Sequence, residues 1–502
     1  MPPPEEKEST KIKKKCNCLE PVRDNVSDFM DATTIHGFKY LIGNDRTIFE
    51  KILWCAVLVA SFYTCSLMVK STWQKWQENP TFIGFGQTPV LLWQIPFPAV
   101  TICPGYLLNK ESNYTFSFTV DNDNWRVGNA STVCDAYDGT NEDEFLTEFD
   151  TMDFSEGQKW EEFLLETTVL RSQFIKNLLF GSKPTSMSPF LSKSVCYSFN
   201  MLDRSSILRD VAHLGSDFGN QNSTSCWSFD EGYCKRNESV YPRRARATEV
   251  KLEMNLNSEL NKVACMGTNE YYIHLHHPGE FPDANNRILI EIKKKNEIII
   301  KPEITITSES LRNLPPSRKK CVFSTERYLQ FYKIYTQGNC KLECLANYTL
   351  RNCGCVPHEL PHTKTAKLCG KFNSTTVECM SEAEGMMDEL ESGLSKNYLN
   401  LPLCKCLPSC NSRNYDAKVK LSNSRKNKTY VTLQFKETEF SVMERKELFG
   451  DVDFWASCGG ILGLFTGFST ISLAEIAYFL LFRWLFAWIR RLWKIMRPNM
   501  LT

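Results

Sequence analysis

Two long apolar runs interrupt an otherwise polar chain. Ile52 to Val69 is eighteen residues without a charge. As a helix rising ~1.5 Å per residue it spans about 27 Å, close to the hydrocarbon thickness of a bilayer. Glu50 and Lys51 close one end and Lys70 the other, and Trp73 and Trp76 follow where membrane interfaces collect aromatic rings. The second run, Phe454 to Leu481, is twenty-eight residues with the single charge Glu475. One straight helix of that length is about 42 Å, more than a bilayer core requires, so this run is expected to tilt, break or extend into water. Behind it Arg483, Arg490, Arg491, Lys494 and Arg497 stand without any acid among Trp484, Trp488 and Trp493, the pattern of a cytoplasmic, interface-anchored tail. The fold class expected is a two-span α-helical membrane protein with a large disulfide-rich α+β extracellular domain. Its parts are a cytoplasmic N-terminus over 1–47, spans over 48–70 and 452–482, an outside domain over 71–451 and a cytoplasmic tail over 483–502.

Cysteines and sequons agree with this topology. Of 21 cysteines, sixteen lie between Cys103 and Cys410, an even set that reads as a disulfide framework in an oxidising compartment. Residues 1–47 carry eight acids and eight bases and no apolar core, so no cleavable signal peptide is expected there and the first span serves as the internal export signal. Asn113, Asn129, Asn222, Asn237, Asn347, Asn373 and Asn427 each open an N-x-[ST] triplet in the proposed outside domain, whereas the triplet at Asn25 lies on the cytoplasmic side and should stay unmodified. Basic and acidic residues number 59 and 58, a balance that gives no reason to expect nucleic acid. Membrane lipid is the partner the spans imply.

The second span carries features a lipid-facing helix does not need. An acid at mid-bilayer costs roughly 2.5–3.5 kcal/mol on insertion scales, and Glu475 sits in this run. Gly459, Gly463 and Gly467 recur every four residues, hence on one face, and Thr466, Thr470 and Ala474 continue along it. Small residues at that spacing pack helices closely; they also make a stripe able to border water. One helix cannot enclose a pore, so a pore reading requires several chains. Gly467-Phe468-Ser469 is where the helix is expected to loosen, and backbone carbonyls there could replace part of a cation's hydration shell. Glu475 then favours cations, or else pairs with a base at the inner membrane face. Asp451 and Asp453 either concentrate cations at the mouth or are solvated charges.

Ten cysteines fall between Cys321 and Cys410. Cys340 and Cys344 share a helical face about 6 Å apart along the axis; Cys404 and Cys406 share a strand face about 6.6 Å apart. The matched spacings suggest a helix and an antiparallel strand cross-linked as Cys340–Cys406 and Cys344–Cys404, inside Cys321–Cys410 and outside Cys353–Cys379 and Cys355–Cys369. Spacing does not fix connectivity. For the earlier cysteines the pairs assigned are Cys103–Cys265, Cys134–Cys196 and Cys226–Cys234. Zinc fits poorly, because Cys353-Gly354-Cys355 is tighter than the usual C-x2-C knuckle. In the strand-like run Tyr271 to Pro278, His274 and His276 face one side and His277 the other, so no metal is expected. The chain has no P-loop, G-x-S-x-G elbow or H-E-x-x-H, so neither an enzyme nor a cofactor is expected.

At these residues the chain resembles the epithelial sodium channel/degenerin family, most closely the insect pickpocket subunits. His36-Gly37 matches the family's His-Gly motif before the first span, implicated in gating. Phe97-Pro98-Ala99-Val100-Thr101-Ile102-Cys103 matches the signature after that span, and the block from Cys321 to Pro357 looks like the thumb region. Gly467-Phe468-Ser469 matches the G-x-S selectivity filter, and Glu475 falls on the family's acid. The resemblance implies a homo- or heterotrimer conducting sodium ions, blocked by amiloride-type drugs. It also implies a hand-like ectodomain with β-rich palm and helical thumb and finger. Ala456 or Ser457 falls near the position where bulky side chains hold the pore open. Cys458 is a departure without a family requirement. Arg243-Arg244-Ala245-Arg246 fits a furin-type R-x-x-R site between Arg243 and Arg246, or a solvated basic loop. Two rival readings are an ATP-gated two-span cation channel, which needs a basic triphosphate cluster, and a two-span scavenger receptor binding lipid, which needs no pore chemistry.

Overall fold

The computed structural model describes residues 47–112, 115–129, 157–214, 227–233, 242–369, 374–392 and 404–482, with short gaps inside these ranges and isolated positions within 33–42 and 485–493. Two compact units emerge, Met1–Phe82 with Glu447–Thr502, and Ile83–Lys446.

The larger unit is built on two sheets. The first, eight-stranded, runs in the order β1 (Thr81–Phe85), β13 (Val442–Glu447), β10 (Lys294–Thr307), β12 (Thr429–Phe435), β7 (Leu252–Leu256), β3 (Ile175–Phe180) and β4 (Lys183–Pro184), with β11 (Ser412–Asn423) also paired to β10. Strand β10 organises this sheet. Ile298, Ile300 and Ile304 point into the core while Lys301 and Glu303 point out, the period of two that a half-buried strand requires. Along one edge β10 carries antiparallel β11 over Lys294–Thr305. It also pairs in parallel with β12 over Lys295–Ile300 and with β13 over Ile304–Thr307.

The second, five-stranded, is ordered β9 (Arg287–Ile290), β8 (Ala264–His276), β2 (Ala99–Asn109), β6 (Val195–Phe199) and β5 (Ser188–Leu191). The Phe97–Cys103 stretch is its centre. Phe97, Ala99, Val100 and Ile102 are fully buried. The Phe97 ring meets Phe180, Phe199 and Phe435 edge-on at 5.2, 6.2 and 5.6 Å, the geometry aromatic quadrupoles favour.

Sheet register corrects two disulfides. Cys103 bonds to Cys196, with Cα atoms 4.3 Å apart, not to Cys265, and Cys196 is therefore not bonded to Cys134. On β8 the residue opposite Cys103 is Tyr272, while Cys265 lies opposite Leu108. Five residues of strand, roughly 17 Å, separate the two positions, beyond disulfide reach. On the other side of β2, Ile102 faces Tyr197, which brings Cys196 against Cys103. Trp227–Ser228 and Gly232–Tyr233 pair antiparallel; Cys134, Cys226 and Cys234 lie outside the described residues.

Five further bridges staple the segment after β10: Cys321–Cys410, Cys340–Cys406, Cys344–Cys404, Cys353–Cys379 and Cys355–Cys369. Cys340 and Cys344 sit on a helix, Gln337–Asn352, whose N-cap Thr336 accepts the Asn339 N–H. Cys404 and Cys406 belong to an irregular segment rather than the expected strand. A tight turn there, in which Cys406 N–H meets Cys404 O at 2.6 Å, still aims both thiols at one helical face. Buried Glu343 on the same helix accepts the Gln330 and Phe331 N–H groups at 2.9 and 2.8 Å, which ties the helix to the preceding loop.

Candidate functional site

In the smaller unit, α1 (Ile48–Glu78) has 31 residues, about 46 Å of helix. Its most apolar window has a mean hydropathy of 2.1, and it is the one described helix long and apolar enough to cross a membrane alone. Two C-terminal helices, α2 (Asp451–Thr466) and α3 (Thr470–Ala477), pass the same test only together, bent by 74° where they meet.

The bend falls on Gly467-Phe468-Ser469, and side chains build it. Gly467 takes φ +68°, left-handed backbone that costs a side-chain-bearing residue roughly 1–2 kcal/mol. Its N–H closes α2 on Gly463 O at 2.9 Å. Thr466 donates its hydroxyl to Leu462 O at 2.7 Å and accepts the Phe468 N–H at 3.3 Å, so it serves the bend. Ser469 starts α3 by exchanging bonds with Ser472: each hydroxyl accepts the other's N–H, at 3.2 and 3.1 Å. The Ser-x-x-Ser spacing is the readable signal of such a reciprocal cap. Thr470 is exposed and Glu475 half-buried.

Above the bend, Ala456 is exposed and Ser457 half-buried. A Cβ added at Gly459 would meet nothing within 4 Å, so nothing in this chain demands the missing side chain there; at Gly463 it would lie 3.8 Å from Phe468 O. Cys458 is buried and unbonded. Helix α2 packs on α1 through a Trp76–Phe454 stack at 4.7 Å, an edge contact of Trp73 on Phe454 at 5.7 Å, and a hydrogen bond from Ser61 Oγ to Phe465 O at 2.6 Å. Trp76 donates its indole N–H to Asp451 at 3.2 Å, and Asp453 accepts the Gly450 N–H at 3.1 Å. Both acids thus complete the α2 N-terminus, where negative charge is favoured.

His36 lies outside the described residues. Gly37 adopts φ +93°, backbone that favours glycine, and a Cβ there would stand 2.6 Å from the end of the Leu58 side chain on α1, which would have to shift. Tyr40 stacks on Trp54 at 4.3 Å, which holds the turn after Gly37 against α1.

The remaining candidates scatter over the larger unit. Arg243 donates its backbone N–H to Asn200 Oδ1 at 2.6 Å, and its guanidinium faces Phe180 and Phe199 at 5.9 and 5.8 Å; Arg244 is buried and donates to Trp93 O at 3.4 Å. This anchoring opposes entry of the pair into a protease cleft; Arg246 is outside the described residues. Asn347 is exposed on its helix, Asn427 is exposed in a turn, and Asn129 lies in a strand. Asn113, Asn222, Asn237 and Asn373 fall outside the described residues. No three His, Cys, Asp or Glu side chains converge among the described residues, and His276 and His277 are buried in the fold.

Comparison with known proteins matches residues 29–479 to the family described as amiloride-sensitive sodium channel. Pickpocket protein 28 of Drosophila melanogaster is 25% identical, over 92% of this chain and 79% of that protein. Sodium channel protein Nach of the same fly is 20% identical, over 91% and 87%. The human bile acid-sensitive ion channel is 24% identical, over 90% and 85%. A match running from before the first apolar helix to beyond the bent pair makes the chain a member of the amiloride-sensitive sodium channel family.

Proposed function

We propose that this chain is a pore-forming subunit of a sodium-selective, amiloride-sensitive cation channel of the plasma membrane. Three copies, identical or related, assemble around the second apolar segment, and a hand-like extracellular domain gates them. The observation that carries the reading is the break at Gly467-Phe468-Ser469, held by a left-handed glycine, a threonine hydroxyl and a reciprocal serine cap. Backbone interrupted at membrane depth is tolerated where it meets protein or water, and such carbonyls can coordinate a dehydrated cation. Gly459, open on its Cβ side within the chain, permits close approach of a neighbouring copy, and Glu475 supplies negative charge on the same run. Family membership gives the ATP-gated and lipid-receptor readings no support.

The test is steric. A bulky side chain at a crowded closed gate destabilises only the closed state and shifts the population toward open. Ala456→Phe or Ser457→Val, expressed with related subunits where needed, is expected to give constitutive sodium current blocked by amiloride. Surface-expressed variants that pass no current in any combination overturn the proposal.

A further inference from the structure

Two of the chain's seven histidines meet across a backbone bridge that the channel reading does not use. His213 and His362 form an isolated antiparallel bridge, His213 N–H to His362 O at 2.6 Å and His362 N–H to His213 O at 3.3 Å. Residues directly opposite in this way carry their side chains side by side. Their ring centroids are 5.4 Å apart with planes at 76°. Two imidazoles on one tetrahedral ion, with metal–nitrogen bonds of about 2.0–2.1 Å, place their ring centres about 5 Å apart.

The hydrogen bonding suits ligation. His362 Nδ1 lies 2.8 Å from Leu360 O. A carbonyl only accepts, so Nδ1 carries the proton and Nε2 keeps its lone pair. A ligating histidine is characteristically oriented by such a bond on its other nitrogen. His362 is buried and His213 half-buried, so one ring is fixed and the other can adjust. Burial is the main cause that holds both below the ordinary imidazole range, and both are neutral at pH 7.

We propose that His213 and His362 form a two-imidazole site for a borderline transition-metal dication, Cu2+ or Zn2+, which clips the loop carrying His213 to the loop closed by Cys355–Cys369. Imidazole is a ligand these ions prefer. Water completes the coordination sphere. Arg204 and Lys364 stand near enough to His213 to lower its proton affinity, and they temper metal affinity in the same sense.

The probe is Cu2+ added to the full-length protein in detergent, followed by electron paramagnetic resonance. A signal with two equatorial imidazole nitrogens, displaced by Zn2+, is expected. His213→Ala should lose the two-nitrogen signal and weaken binding roughly tenfold or more, while its metal-free melting temperature stays near wild type; His274→Ala should change neither. His362→Ala is read beside His213→Ala, because His362 is buried and its loss alone can perturb folding. Wild-type Cu2+ binding in His213→Ala, or loss of the signal in His274→Ala instead, overturns the site.

Discussion

At the scale of single residues, the Phe97–Cys103 signature acts as the keystone of a core rather than a surface for ligands. Thr101 Oγ1 lies 2.8 Å from His276 Nε2 and 2.7 Å from Ser198 Oγ, and all three residues are buried. His276 Nδ1 lies 3.1 Å from His277 O, so Nδ1 holds the proton and Nε2 accepts from Thr101, which in turn accepts from Ser198. Thr101→Val keeps the shape and strands two buried polar atoms. It is expected to cost about 1–3 kcal/mol, read as a lowered melting temperature of the full-length protein. Burial pulls the His276 pKa down to about 4, against about 6.5 in an unfolded chain. Below pH ~6.5 the unfolded chain takes up a proton that the native state refuses. The stability His276 confers is therefore complete above that pH and falls as pH drops through about 4. His276→Gln should flatten the melting temperature between pH 6.5 and 4; an unchanged slope removes His276 as its cause. Periodicity put His276 on a strand, but its tautomer and its partners on β2 and β6 are long-range facts that no local pattern encodes.

At the scale of elements, what the sequence made legible depended on distance along the chain. The break in the second apolar run was readable because its length exceeds a bilayer and glycine and serine stand together. Cys340 and Cys344 bond to Cys406 and Cys404 as their matched spacings suggest, although the partner segment is a tight turn. Cys103 was misassigned because its partner is set by which strand lies on each side of β2, a topological choice. The angle of the break was not legible either, since it follows from hydroxyls folding back on the backbone. Gly467→Ala places a Cβ on left-handed backbone and is expected to cost about 1–2 kcal/mol, whereas Gly459→Ala, inside helix α2 and open on its Cβ side within the chain, should raise the isolated subunit's stability by about 0.5–1 kcal/mol. Equal losses in the two variants would show that the bend does not depend on Gly467. A loss at Gly459 that appears only in the assembled oligomer would instead locate that glycine at a subunit contact.

At the scale of the whole molecule, both apolar segments belong to one compact unit and the disulfide-rich sheets to the other, a division that follows from solvent. Residues 52–69 minimise polar exposure, whereas β10 alternates polar and apolar positions for one wet face and one dry face. Which side of the membrane holds the larger unit is a question of topology that glycosylation at the sequons tests. Asn427 is exposed in a turn while Thr429, the third residue of its triplet, is buried with its Oγ1 accepting the Lys293 N–H at 2.9 Å. Asn347 is exposed on its helix while Thr349 is buried with its hydroxyl on Leu345 O at 3.0 Å. In both, the asparagine projects where a bulky glycan disturbs no packing. If Ile83–Lys446 is extracellular, Asn347→Gln and Asn427→Gln should each remove one glycan-sized step from the mobility of the surface protein, and Asn25→Gln should remove none. Lumenal modification requires the segment to have crossed the membrane, so the reverse pattern, with Asn25 glycosylated and the other two bare, would invert the chain and place the basic tail outside.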